Sequence, residues 1–405
     1  MQNKIKGCVN AYLNLSVKTN GGVSPCCMSD YFYKTDIGSN TLNQESIINF
    51  WNSKSRKEFI EQLDAGVQLP ECFSCWNEER AGKDSKRIRD NKTFENTELK
   101  SDMLPLVLDM SMGNLCNIKC RICSPLQSSP WQAEEEKIVT LYPSRTYLKH
   151  KHNSQAASFD YSNDFFWKDI LKLLPNVTKY DFAGGEPFFI EKHWDIVRTA
   201  VENGWSKSQH IHYNTNGTIF PEKYVHLFEE FKIVDIQISS DGVGQKFEYM
   251  RHPAKWNKVE NNIQRFIDAK EASKTEWWLG TCISVSAFNV YDFFETFEHY
   301  ASKGLGIYVN VVHDHHGVRI LHPSLKKELI SKLKSQQSQF KPAQWERERD
   351  MICRHLENTT YNVNDWNEFW QEIEIRDKFR GESFKDTFSE YYELINKLGL
   401  VYVER

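Results

Sequence analysis

The sequence predicts an α/β fold: a partial (β/α)6 TIM-like barrel, preceded by a cysteine-rich module and followed by a helical region. Six apolar runs alternate with amphipathic stretches between residues 104 and 312. Eight of the ten cysteines fall within the first 123 residues, in tight groups. The last 80 or so residues read as charged, aromatic helices. The expected boundaries are 1–100 for the module, 101–320 for the barrel and 321–405 for the helical region.

The strand-like runs are LPLVLDM (104–110), KYDFAG (179–184), HIHYNT (210–215), VDIQISS (234–240), WLGTCISV (278–285) and IYVNVV (307–312). Helical stretches at 166–174, 191–203, 221–231, 256–273 and 290–302 separate them. Such alternation predicts a parallel sheet with right-handed crossovers. Six units are too few to close an eight-fold barrel, and they place a site at the C-terminal strand ends. Ahead of them, LNLSVKT alternates apolar and polar residues as a strand does, and GGVSPCC makes a turn. Residues 44–64 set Ile47, Ile48, Trp51, Phe59, Ile60 and Leu63 at helical spacing. Residues 81–100 are polar and read as a linker. WNEFWQEIEIRDKF and TFSEYYELINKL, in 324–405, supply a helical layer packed on the barrel.

With 405 residues, 40% hydrophobic and 26% charged, the composition is that of a globular protein. Net charge is −4 and no long basic run occurs, so nucleic acid is not an expected partner. No stretch approaches the roughly 18–20 apolar residues of a membrane span, and residues 1–10 hold no signal-peptide core. The expectation is a soluble cytoplasmic protein. Clustered cysteines in such a chain point to metal binding more than to disulfides. Cys282 and Cys353 stand apart and read as small buried hydrophobes.

DMSMGNLCNIKCRICSP places Cys116, Cys120 and Cys123 directly after the first barrel strand. Three thiolates on one short loop can hold three irons of a cubane cluster, leaving the fourth iron open. Zinc is the alternative, although it usually takes four ligands arranged as Cys-x-x-Cys pairs. The second strand ends in AGGEP, where Gly184 and Gly185 permit close backbone approach and Glu186 offers a carboxylate to an ammonium group. The third ends in NTNG, with Asn216. The fourth ends in SSDG, with Ser240, and Arg251 follows in YMRHP. All of these lie on one rim of the expected barrel.

In this order and on these strands, the motifs resemble the radical S-adenosylmethionine (SAM) superfamily over roughly residues 104–312. The resemblance implies that Cys116, Cys120 and Cys123 hold a SAM-binding 4Fe–4S cluster. It further implies that Gly184, Gly185 and Glu186 contact the methionyl amine, that Asn216 and Ser240 lie near the ribose or carboxylate, and that Arg251 lies near the carboxylate. In that family the reduced cluster cleaves S-adenosyl-L-methionine to a 5′-deoxyadenosyl radical, which takes a hydrogen atom from substrate. An electron donor such as flavodoxin or ferredoxin would be required. One departure is Ile122, where the family often has an aromatic residue.

Cys8, one of Cys26 and Cys27, Cys72 and Cys75 make a second, four-ligand set, for which structural zinc is again an alternative. The strand before GGVSPCC, the helix around FWNSKSRKEF and the CFSCWNEE motif resemble the SPASM or twitch auxiliary-cluster modules of radical SAM enzymes. That resemblance implies an auxiliary 4Fe–4S cluster on Cys8, Cys26, Cys72 and Cys75, with Cys26 preferred over Cys27 from its spacing to Gly21. The module precedes the barrel, whereas such modules more often follow it. HDHHG (313–317) reads first as a substrate-contacting or solvated rim loop and second as a metal site. KHKHN (149–153) reads as a solvated loop. The function expected is hydrogen abstraction from an organic substrate, with a peptide side chain first and a nucleoside, sugar, nucleic acid or other metabolite as alternatives. From another class, a non-catalytic scaffold stabilised by metal would use the same cysteines.

Overall fold

A computed structural model describes residues 7–34, 42, 45–80, 82, 84–142, 164–357 and 360–401. The KHKHN segment lies outside the described residues. Eight strands form one sheet in the order β2-β1-β3-β4-β5-β6-β7-β8. They are β1 Asn14–Val17, β2 Val23–Ser24, β3 Val107–Ser111, β4 Lys179–Ala183, β5 His210–Thr215, β6 Ile233–Ser239, β7 Glu276–Val285 and β8 Gly306–Val311. From β3 to β8 all neighbours are parallel, as the alternating helices require. These six are the six apolar runs of the sequence.

The sheet is two strands wider than six. LNLSVKT does form a strand, β1, and it adds in parallel to β3 with Asn14 opposite Val107 and Val17 opposite Met110. The short β2 closes that side as an antiparallel partner of β1. The N-terminal segment is therefore stitched into the barrel sheet by main-chain hydrogen bonds. Residues 47–64 form two helices, Ile47–Asn52 and Lys54–Asp64, divided at Ser53, whose hydroxyl accepts from Arg56 N and caps the second.

The linker expected at 81–100 is corrected by the helix Lys86–Thr93. It buries no residue fully, so its sequence carries no core-facing apolar stripe. Polar contacts pin it instead. Ser85 caps it, Arg87 pairs with Glu79 at 2.6 Å, and Asn10 donates to Asp90 at 2.8 Å.

The C-terminal helices pack on the barrel through aromatic rings. Phe288 meets Phe369, Tyr249 meets Phe388, and Trp345 stacks on Phe293. Among the described residues no helix is long and apolar enough to cross a membrane.

The concave face of the sheet departs from a filled barrel. In packed barrels, layers of branched aliphatic side chains fill the interior. Here Ser16, Asp109, Asp181, His212 and Asp235 stand in register across five adjacent strands. The opposite parity of the same strands is apolar and fully buried, as with Leu108, Tyr180, Ile211 and Val234. Period-2 alternation thus sends the core outward, under the helices, and leaves a polar row facing an interior cavity.

Candidate functional site

The cysteine loop begins where β3 ends. Gly113, at φ +71°, turns the chain out of the strand. Hydrogen bonds then fix the loop from several sides. Ser128 Oγ donates to Ile118 O at 2.7 Å, Trp131 Nε1 to Cys120 O at 3.0 Å, and the Lys119 and Arg121 amides to His252 O and Met250 O. Cys116, Cys120 and Cys123 line the same cavity, of about 340 Å³. That falls within the ~300–1,000 Å³ usual for small-molecule sites. Burial pushes the Cys116 thiol up to about 12 and raises Cys120 and Cys123 as well. Three such thiols become thiolates only with a compensating cation, which an iron–sulfur cluster supplies.

The GGEP turn docks on this loop. A Cβ on Gly185 would lie 2.1 Å from Leu115 O, and one on Gly184, at φ +116°, 2.8 Å from Met112 N. The Gly185 and Glu186 amides donate to Gly113 O and Leu115 O. The two glycines are thus required by the approach of the turn to the cysteine loop, and they also line the cavity.

Glu186 is placed differently from the expected open acceptor. It is fully buried, and its carboxylate already accepts from Phe188 N (3.1 Å), Thr215 Oγ1 (2.8 Å) and Asn216 N (2.7 Å). It joins the end of β4 to the end of β5. Burial raises its pKa to about 7, against those three donors.

Asn216 and Arg251 do line the cavity. Asn216 Nδ2 donates to Asn117 Oδ1 at 2.9 Å and lies 3.9 Å from Cys116 Sγ. Arg251 pairs with Asp241 at 2.7 Å and sets Nη1 3.8 Å from Cys120 Sγ. Ser240 does not reach the cavity. Its hydroxyl is buried against Gly242 O and the Tyr300 hydroxyl, and Ser239 faces the cavity in its place. The reason is parity: Asp235, Gln237 and Ser239 point inward along β6, and Ser240 points away.

The second cysteine group assembles around the Phe73–Arg80 helix. Cys8 lies within electrostatic reach of Cys72 and Cys75, and Cys26 within reach of Cys8. Burial lifts Cys8 to about 12 and Cys72 to about 11. Cys27 goes elsewhere. Its amide donates to Asp109 Oδ2 at 3.0 Å, and it lines the interior cavity.

Tetrahedral zinc, at about 2.3 Å from each sulfur, would draw its thiolates to within about 3.8 Å of one another. Among the described residues, only Asp314, His315 and His316 gather three ligand atoms within 4.8 Å. No sulfur of either cysteine group belongs to that set.

The interior cavity, about 530 Å³, shares Ala183 and Asn214 with the cysteine cavity and so adjoins it. Its wall is the polar row of the sheet. His212 Nδ1 lies 2.7 Å from Asp235, and Nε2 lies 3.3 Å from Asp181. Despite burial, these two carboxylates raise its pKa. Burial and the neighbouring Asp181 raise Asp109. Lys179 and His212 hold Asp181 below the usual range against the cost of burial. These residues were missed by the sequence reading. Their signal was present: a charged or titratable residue at the middle of each of four consecutive apolar strands, on one parity.

Residues 8–76 match the SPASM family, an iron–sulfur cluster-binding domain, and the matched segment holds all four cysteines of the second group. The N-terminal segment is thus an iron–sulfur cluster-binding domain. No curated protein matches the sequence. Among solved structures, native anSMEcpe with bound AdoMet is 15% identical, covering 56% of this chain and 59% of that one, with a TM-score of 0.39. Streptococcus suis SuiB bound to S-adenosylmethionine is 11% identical, covering 78% of this chain and 62% of that one, with a TM-score of 0.37. The chain thus spans about three-fifths of the length of each of these.

Proposed function

We propose that this chain is a radical SAM enzyme with two 4Fe–4S clusters, which abstracts a hydrogen atom from a polar organic substrate. Cys116, Cys120 and Cys123 would hold the SAM-binding cluster; Cys8, Cys26, Cys72 and Cys75 the auxiliary one. The observation that carries the reading is the cysteine cavity. Three thiols of one loop line it, and it adjoins a second, ion-paired cavity inside the sheet.

A four-iron cluster held by Cys116, Cys120 and Cys123 would supply one electron to the SAM sulfonium, whose C–S bond would break to give methionine and a 5′-deoxyadenosyl radical. The chain's own residues bind and enclose. Arg251, beside Cys120, offers a cation to the cosubstrate carboxylate, and Asn216 and Ser239 offer amide and hydroxyl groups beside it. Enclosure matters because a primary carbon radical attacks almost any nearby C–H bond, so one substrate hydrogen must be held close while others are kept away.

The row Asp109–Asp181–His212–Asp235 favours a substrate group rich in hydrogen-bond donors and acceptors. A polar peptide side chain is the first candidate. A sugar, nucleoside or similar metabolite is the second, favoured by the same ion-paired wall. A small redox protein of the flavodoxin or ferredoxin kind would deliver the electron.

Iron and sulfide analysis of anaerobically prepared protein tests the reading. We expect about eight irons per chain, two cubanes. Replacing Cys72 and Cys75 by Ala should leave about four, and a Cys116, Cys120, Cys123 triple Ala variant should also leave about four. Zinc in place of iron, or iron unchanged in either variant, would refute the assignment.

A further inference from the structure

The turn after β8 has no part in the chemistry proposed above, yet Asp314 and His315 line the cysteine cavity. Asp314, His315 and His316 each bring one potential ligand atom within 4.8 Å of the others. The turn is tightly closed. His316 N donates to Asp314 Oδ1 at 2.8 Å, and a Cβ on Gly317 would meet Val312 O at 2.3 Å.

His316 is the informative residue. It is fully buried, with Nε2 2.8 Å from Glu372 Oε2. The other Glu372 oxygen accepts from Arg376 Nε at 3.0 Å. A carboxylate only accepts, so Nε2 donates, and a neutral ring then presents its lone pair at Nδ1. That Nδ1 is buried without a hydrogen-bond partner. It faces Asp314 Oδ1 at 3.9 Å, and His315 Nδ1 lies 3.9 Å from the same oxygen. A turn stabilised by Asp314 accounts for the aspartate oxygen. It does not account for a buried imidazole with a bare nitrogen, which costs free energy unless something binds it.

A carboxylate holding the far nitrogen of a histidine is the usual outer support of a metal-ligating imidazole. Ligand bonds of about 2.0–2.2 Å span separations up to about 4 Å across one ion, so the 3.9 Å pairs need little closure. Two imidazoles and a carboxylate are an N/O donor set suited to zinc or ferrous iron.

We infer that Asp314, His315 and His316 form a binding site for a divalent transition cation, with its open positions turned toward the cysteine cavity. The site does not depend on the SAM reading. His316 and Asp314 are ligands here, and Glu372 is a positioning residue.

The test uses protein with its iron–sulfur clusters loaded. Zinc ion is added anaerobically, excess is removed by gel filtration, and zinc per chain is measured alongside iron. Competition with a chromophoric chelator gives the zinc Kd. The expected result is one zinc per chain beyond the iron, lost in His315→Ala and His316→Gln. Glu372→Gln should weaken binding by roughly 10–100-fold with iron content and circular dichroism unchanged. Because His316 is buried, the half-buried His315→Ala carries the test if His316→Gln does not fold. Wild-type protein that binds no zinc overturns the inference. So does zinc stoichiometry unchanged in His315→Ala, which would place the metal on cysteines.

Discussion

Ser239 and Ser240 show how much turns on one position along a strand. Both are serines at the end of β6, and only the inward parity reaches the cavity. The SSDG motif was legible in the sequence; which serine faces in was not, because the motif states no register and the sheet sets it. Glu186 was visible from its motif, while its surroundings were not. Its residue type announces a carboxylate, but the three protein donors that surround it come from the ends of β4 and β5.

A third residue gives a pH prediction. His193 is fully buried, its ring between Ile190 O and the Tyr213 hydroxyl, and burial lowers its pKa to about 3. The unfolded chain binds a proton there near pH 6.5, so stability is full above that value and falls as pH drops toward 3. Between pH 7 and pH 5 this one group should remove about 2 kcal/mol. His193→Gln should lose correspondingly less over the same interval in denaturant titrations. An unchanged pH slope would show that His193 is not held neutral.

At the scale of elements, the helix Val363–Arg380 does more than cover the barrel. Arg376 reaches Glu372, Glu134 and Glu135 at 2.5–3.0 Å and lies 4.1 Å over the ring of Trp131, whose indole donates to Cys120 O. Arg121, within the cysteine loop, pairs with Asp377 and Glu382. The C-terminal helix therefore braces the loop that carries the three cysteines. Removing Arg376 leaves the buried Glu135 without its cation and takes one from Glu134 and from Glu372, which keep Arg380 and His316. Arg376→Ala should cost about 3–5 kcal/mol in urea unfolding of the anaerobic protein. A loss below about 1 kcal/mol would mean the brace does not bear on stability.

The sequence showed this segment as an aromatic, charged helix, because helical spacing is local. It could not show that the charges were buried partners of residues some 240 positions away. The Lys86–Thr93 helix was hidden for the converse reason: it is held by polar pairs and carries no buried apolar stripe.

For the whole molecule, the six parallel strands were legible because each apolar run is separated from the next by a crossover of fitting length. The two further strands were harder to place. β1 is a strand by its own alternation, but its pairing with β3 is a contact across about 90 residues. That pairing sets the auxiliary module against the barrel sheet and turns Cys27 into the interior cavity while Cys26 stays with Cys8. The two cysteine groups and the polar interior thus belong to one sheet, and this is the physical basis for reading them as one enzyme.

The most direct test is the conversion of SAM to 5′-deoxyadenosine and methionine by the anaerobically reconstituted protein with dithionite as reductant. The account predicts 5′-deoxyadenosine from the wild-type chain and none from the Cys116, Cys120, Cys123 triple Ala variant, although that variant keeps about four irons. Product formation at wild-type rates by the triple variant, or none from wild-type protein holding both clusters, would contradict it.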